Sequence, residues 1–565
     1  MTARLGFIIL SHENLDRTHA LAKYLLANDC ELAIHIDSRC SSSEVDELRM
    51  NFKADDSISI VQKFRTEWGK FNLVKATLDA AKNLLSRNSD ISHVTLLSGA
   101  CLPLRPIKQY KKFLARHPFT DFIESVDLVS HKWVQDGLSE ERFDFYFPFS
   151  WKSQKTLFDF GTSLQRKMGV KRQPPLGLKP HLGSQWWCLS RQTLQKIIND
   201  PNGNSYDRYF RYSWIPDESY FQSMARIHSE RLKAQSLTWS KFDADGRPFT
   251  VYSDHLDSLE SSDCFFIRKA WSKDEALYNN LLAKNRKNIP LSNVDNKKAD
   301  SLFSKATNLT EPELNCSINT GRYPKSGTIG RDKAKYPYTV IFGAQFLFEN
   351  LDNWIANHSN AQCHSDLFDR QKIKISGGNV VDAGNLPMNK LIRNNAPKNF
   401  LHNFIANASS QKQVLFFDSL DSRKSFEPVL RDRNATIFFV KNAWISAFAE
   451  LAGTGEDVYS KAANLQRAEQ IIGAQFDRYK CKAIIRNFEL SAVLNDPCPL
   501  LHELFENLNG KTTNALIAPN MISSSNIKKT IERLKNDGFA LDVDAGSLAG
   551  QKSNEKQSNR PRLVK

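Results

Sequence analysis

The feature that most constrains this chain is an alternation near its start. Short, wholly apolar runs trade places with segments whose apolar residues recur at helical spacing. Leu5–Leu10 reads as a buried strand, Asp16–Ala27 as the helix that follows, and Leu32–Ile36 as a second strand. Phe71–Leu85 sets Leu73, Ala76, Ala80 and Leu84 on one helical face, and His93–Leu97 is a further strand closed by Ser98-Gly99. Strands alternating with helices build βαβ units and a mostly parallel sheet. Ligands of such sheets bind beyond the carboxyl ends of the strands. The loops after Leu10, Ile36 and Leu97 are therefore the first candidates for a site.

A chain of 565 residues is too long for one core, and its texture divides it. Residues 1–275 form the first α/β domain. Residues 276–335 read as a polar linker, rich in Asn, Lys and Ser. Residues 336–545 carry the strand-like or strand-helix runs YTVIFGAQFLF, VLFFDSL and ATIFFVKNAWISAFAEL, a second α/β domain. Residues 546–565 form a basic, polar tail that predicts disorder. The formal charge of +15 favours anionic partners without choosing among them. No apolar run is long enough to cross a bilayer, and the short run at Leu5–Leu10 lacks the features of a signal peptide. The expectation is a cytoplasmic protein, with peripheral contact at the inner face of a membrane left open. Nine scattered cysteines without a CxxC pair suit free thiols in a reducing compartment and give no zinc site.

Seven fragments of the first domain fall in one order. They are FIILSHEN from Phe7, IHIDSR at Ile34–Arg39, EWGKFNLVKATL at Glu67–Leu78, LLSGACLPL at Leu96–Leu104, GSQWWCLSR at Gly183–Arg191, WIPDESYFQSM at Trp214–Met224, and CFFIRKAW at Cys264–Trp271. In this order they resemble the core-2/I-branching N-acetylglucosaminyltransferases and peptide xylosyltransferases, glycosyltransferase family 14. The resemblance ends at Trp271. It implies a GT-A-like fold, a nucleotide-sugar donor, inversion at the anomeric carbon and no metal cofactor. Where that family has Asp in SGxDxPL, this chain has Cys101.

Inverting sugar transfer needs a base for the acceptor hydroxyl, stabilisation of the leaving diphosphate, and both substrates held in line. The resemblance assigns the base to Glu218; Pro216-Asp217-Glu218 is equally an ordinary helix start. Two Asp-x-Asp patterns, Asp243/Asp245 and Asp542/Asp544, do not follow an early strand and read as surface acids. The resemblance implies basic side chains for the diphosphate instead, here Lys269 and Arg247, cations that serve phosphoryl oxygens without a metal. Asp37 after its strand would face the uridine or ribose. Ser11 and His12 would pack at the preceding strand end, and Trp68 and Gly69 would bring a helix start toward phosphate or uracil. Glu124, Arg142, Trp186 and Trp187 are the candidates for acceptor sugar; only one of the two tryptophans can face a cleft if both lie on a strand.

The sequence thus predicts a two-domain glycosyltransferase with Glu218 as base. The expected reaction moves GlcNAc from a UDP-sugar to a glycan or glycoconjugate, as a branch or side residue on a surface or capsular glycan. UDP-xylose as donor, or a domain that binds glycan or nucleotide without turnover, are the alternatives. Nucleic acid is not an expected partner, and the oligomeric state is not legible. In the second domain, Ile437–Val440 followed by Lys441-Asn442-Ala443 imitates a nucleotide-binding turn, though an ordinary core strand fits as well.

Overall fold

A computed structural model describes residues 4–307 apart from 128–137, 139, 176, 243–247 and 292–293. Beyond that it describes 310–311, 316–317, 336–368, 374–376, 390–395, 397, 400–401, 412–419, 421, 423–451, 458–476, 481–509, 518–522, 524–541 and 543. The chain divides into two compact units, Met1–Phe303 and Ser304–Lys565.

The first unit is built on a seven-stranded sheet: β1 (Arg4–Ser11), β2 (Cys30–Ile36), β3 (Ile58–Gln62), β4 (Ile91–Ser98), β5 (Thr120–Phe122), β6 (Cys188–Ser190) and β7 (Arg231–Lys233). Their order across the sheet is β7-β5-β6-β4-β1-β2-β3. β1 pairs in parallel with both β2 and β4, β2 with β3, and β5 with β7. Only β6 runs against its neighbours β4 and β5. This mixed sheet is the GT-A-like architecture the fragments implied. From Leu5 to Ser11 every residue of β1 is buried, so its apolar run marks the centre of the sheet. Gly6 gives Leu84, on the helix Asn72–Arg87 that crosses the sheet, room to pack closely: a Cβ there would lie 2.8 Å from the Leu84 side chain. β3 is half-buried along its whole length and carries too weak an apolar signal to be read beforehand.

A small three-stranded sheet, Thr238–Trp239, Phe266–Ile267 and Leu102–Pro103, closes the unit beside the carboxyl end of β4. The buried Arg105 fixes it: its guanidinium donates to the carbonyls of Cys264 at 2.6 Å, Ser262 at 2.7 Å and Glu260 at 3.2 Å. That clamp sets the path of the chain into Arg268-Lys269. The compact unit runs past the composition boundary at residue 275. Asp274 caps the helix Glu275–Leu281 by accepting from the Leu277 amide, Leu277, Tyr278 and Leu281 are buried, and Glu275 pairs with Arg17.

The second unit has a six-stranded sheet: β8 (Tyr338–Phe342), β9 (Ala361–Ser365), β10 (Lys374–Ser376), β11 (Lys412–Phe417), β12 (Ala435–Lys441) and β13 (Ile484–Glu489), in the order β10-β9-β11-β8-β12-β13. All neighbours pair in parallel except β9 and β10. The three apolar runs of the sequence are its central strands β8, β11 and β12. The polar β9 and the exposed edge strand β13 carry no such run. No described helix of either unit is long and apolar enough to cross a membrane.

Candidate functional site

Pro216–Glu218 is a single 3-10 turn ahead of the helix Tyr220–His228. The preceding Ile215 takes a left-handed conformation, φ 50°. Gly183 donates its amide to the Glu218 carbonyl at 3.0 Å, which ties the turn to the segment before β6. Position 183 has to be glycine, because any Cβ would collide with the Glu124 carbonyl. This close approach brings three of the anticipated residues together. Arg142, buried and anchored by its Nε on the Leu138 carbonyl at 2.9 Å, donates Nη1 to Glu218 Oε2 at 3.1 Å. Glu218 keeps about a quarter of its side chain exposed, 24%. Glu124 accepts from the Ser184 amide at 3.3 Å; burial, and then the charge of Glu218, push its carboxyl up.

Asp217 was not singled out in the sequence, although it stands inside the Pro-Asp-Glu motif. It is buried, and its Oδ1 has no hydrogen-bond partner. Burial first, and the neighbouring Glu218 second, push its carboxyl up from 3.8 to about 7, against the opposing pull of Arg142 and Arg268. The folded chain therefore holds this proton to about pH 7, whereas the unfolded chain releases it near the ordinary value. Its contribution to stability is full in acid and declines as pH rises toward 7. Asp217→Asn, measured by melting temperature against pH, should lose that decline. An unchanged pH slope would contradict the assignment.

The second cluster lies at the carboxyl ends of β1 and β2. Lys269 donates Nζ to Glu13 at 2.8 Å and keeps 18% of its side chain exposed. Arg268 lies with its guanidinium centre 4.5 Å over the Trp186 ring. Its Nε is buried without a partner, and its charge is felt by Asp217, Glu13 and Cys101. This cation was missed from the sequence; its only signal was its place beside Lys269 in FFIRKAW. It links the Glu218 turn to the Lys269 cluster. His12 stands among Glu13, Lys269, Asp37 and Arg268, and burial lowers its pKa.

Other anticipated residues take supporting positions. Asp37 is buried, with Oδ1 accepting from the Arg39 amide and Nε at 2.8 Å. Its Oδ2 accepts from Arg39 Nη2 at 2.9 Å, the Thr66 amide at 2.7 Å and the Thr66 hydroxyl at 2.6 Å. Burial alone would raise its pKa, but these bonds outweigh it and hold the carboxyl well below the usual range. It joins the loop after β2 to the loop after β3. Ser11 is buried with its hydroxyl 2.7 Å from that of Thr18. Trp68 is partly exposed and meets Trp214 and Trp151 edge-on, at 5.2 and 5.8 Å between ring centroids. Gly69, at φ 76°, lets the chain pass the Trp214 ring.

Trp186 and Trp187 precede β6 rather than lying on it, and both are buried. Trp187 packs on Phe221 at 4.9 Å, and Trp186 lies under Arg268, so the expectation that one ring faces an acceptor cleft is replaced by a platform for a cation. Cys101 is buried and takes up the Ser98 amide and hydroxyl at 3.3 Å each, a turn contact that needs no carboxylate. Arg247 and the Asp243/Asp245 pair lie outside the described residues, as do Asp542 and Asp544. Among the described residues, no three His, Cys, Asp or Glu side chains converge as metal ligands.

Residues 5–260 match the family model of the Core-2/I-Branching enzymes. Through its first unit, the chain is similar to the Core-2/I-branching enzymes. The remainder, residues 268–565, matches a family of unknown function (DUF5927). Over 227 residues the chain is 20% identical to the beta-1,3-galactosyl-O-glycosyl-glycoprotein beta-1,6-N-acetylglucosaminyltransferase 4 of Danio rerio, covering 40% of this chain and 50% of that protein. The chain thus spans about half the length of this relative. A Bacillus anthracis structure solved with sucrose, of a chain described as a glucose-1-phosphate thymidylyltransferase, aligns over 35% of this chain and 76% of its own, at 9% identity and a TM-score of 0.19.

Proposed function

We propose that this chain, similar to the Core-2/I-branching enzymes over residues 5–260, is an inverting transferase that moves GlcNAc from UDP-GlcNAc to a glycan hydroxyl, with Glu218 as the general base. The observation that carries the reading is the pair of clusters joined by Arg268. On one side stands a partly exposed carboxylate oriented by a buried arginine, Glu218 on Arg142. On the other stands a partly exposed ammonium, Lys269. In the proposed step the acceptor hydroxyl loses its proton to Glu218 and its oxygen attacks the anomeric carbon. The bond from that carbon to the diphosphate oxygen breaks, and Arg268 and Lys269 take up the charge of the leaving UDP. Glu13, now on Lys269, would yield its place to the diphosphate. UDP-xylose remains the second donor to test, and the N-acetylglucosaminyltransferase named above supports trying GlcNAc first.

Two further features belong to this reading. With Arg268 and Lys269 supplying the charge, turnover should persist in excess EDTA, measured as UDP release. Activity that disappears with EDTA and returns with manganese would contradict it. Peripheral contact with an anionic membrane is supported by the helix Lys155–Met168. It exposes Leu157, Phe160, Leu164 and Met168, spaced three and four apart, beside the exposed Lys152, Lys155 and Lys167. The full chain should cosediment with vesicles containing phosphatidylglycerol, and Phe160→Glu with Leu164→Glu should abolish this. Equal sedimentation of the variant would remove the helix from the interface.

A further inference from the structure

The Lys441-Asn442-Ala443 turn that stood out in the sequence lies at the carboxyl end of β12, in the second unit. The order of strands reverses there. From β8 the chain passes to β9 and returns by β11 on one side of β8, then crosses to β12 and β13 on the other. In an open parallel sheet this reversal leaves a crevice beyond the carboxyl ends, where ligands bind. The loops after β8, β11 and β12 converge on it. Gly343, at φ 86°, donates its amide to the Phe417 carbonyl at 3.1 Å, and Gln345 Nε2 donates to the same carbonyl at 2.9 Å. A side chain at Gly343 would collide with Ala443, so glycine at 343 is what allows the first loop to reach the third.

Four polar atoms on these loops and on the helix Trp444–Leu451 that follows the third are buried without a hydrogen-bond partner: Gln345 Oε1, Ser419 Oγ, Asn442 Nδ2 and Ser446 Oγ. Ser419 and Ser446 are 6% and 3% exposed. Unpaired buried polar atoms are rare, and a concentration of them on these segments calls for a partner. Glu469 backs the turn from behind, accepting from the Asn442 and Trp444 amides at 2.5 and 2.9 Å, and so fixes the backbone without reaching these side chains' free atoms. Lys441, half exposed and 3.4 Å from Glu489, supplies a cation at the strand end.

We propose that the second unit binds a nucleoside phosphate in this crevice. The hydroxyls of Ser419 and Ser446, the amide of Asn442 and the ammonium of Lys441 are donors suited to phosphate oxygens. Gln345 Oε1 needs the opposite: a donor, which a phosphate dianion lacks and a ribose hydroxyl or base amino group has. That single acceptor among donors argues for a nucleoside ester over free phosphate.

The test uses the full chain with UDP at saturation, so that the first unit is already filled. ADP, adenosine 3′,5′-bisphosphate and inorganic phosphate are then titrated by calorimetry. At least one adenosine nucleotide should bind saturably, and more tightly than phosphate. Ser419→Ala with Ser446→Ala should weaken that binding at least tenfold, leave UDP affinity unchanged and not lower the melting temperature, since the hydroxyls removed make no bond within the chain. The proposal fails if neither nucleotide binds, if phosphate binds as tightly, if binding is lost to UDP, or if the double variant binds as the wild type does.

Discussion

Glu218→Gln should lower kcat by about 10²–10⁴-fold, roughly 3–5 kcal/mol of transition-state stabilisation, while UDP affinity stays close to that of the wild type. The substitution keeps the shape of the side chain and its contact with Arg142, and it removes the basicity. The structure sharpens this expectation. Glu218 sits in a 3-10 turn held by its own backbone, through Gly183 and Ile215, so its carboxylate is not needed to keep the turn in place. A merely structural role would show as a lowered melting temperature with kcat preserved. Near-wild-type turnover in a folded Glu218→Gln protein would remove it as the base.

Lys269→Ala should behave differently. It removes a charge facing the proposed diphosphate, so UDP affinity and turnover should fall together, with kcat lower by about 10²–10³-fold, as for the loss of one donor to a developing anion. Glu13→Gln makes the comparison informative. Glu13 holds Lys269 at 2.8 Å and is half exposed, so its replacement should leave the ammonium available and UDP affinity equal or higher. Calorimetric UDP titrations of both variants check this. A Lys269→Ala protein with unaltered UDP binding would place the diphosphate elsewhere.

The core of the first unit was legible because β1, β2 and β4 are buried on both faces. A strand so placed is apolar at every position, and the helix Asn72–Arg87 that covers them shows its period plainly. β3 and β13 were not legible, since an edge or half-buried strand mixes polar and apolar residues without a run. The candidate site was legible where residues share a short motif. Glu218 and Lys269 stand in such motifs, and the fold brings Arg142 and Glu124 to the Glu218 turn.

What the sequence could not show is direction. Trp186 and Trp187 read as sugar platforms, yet one lies in the core and the other under Arg268. Asp37 reads as a nucleotide contact, yet both of its oxygens are committed to Arg39 and Thr66. Arg268 and Asp217 were overlooked because they stand beside more conspicuous neighbours. Their roles arise from burial, which one strand of letters does not carry.

The central claim is that the first unit turns over a UDP-sugar at the Glu218 and Lys269 clusters. Its most direct measurement is UDP release from UDP-GlcNAc, UDP-xylose, UDP-glucose and UDP-galactose by the wild-type chain, in EDTA and without acceptor. The account predicts slow but catalytic release, fastest from UDP-GlcNAc and lost in Glu218→Gln if water takes the acceptor's place. Binding of UDP without release from any of the four donors would contradict it.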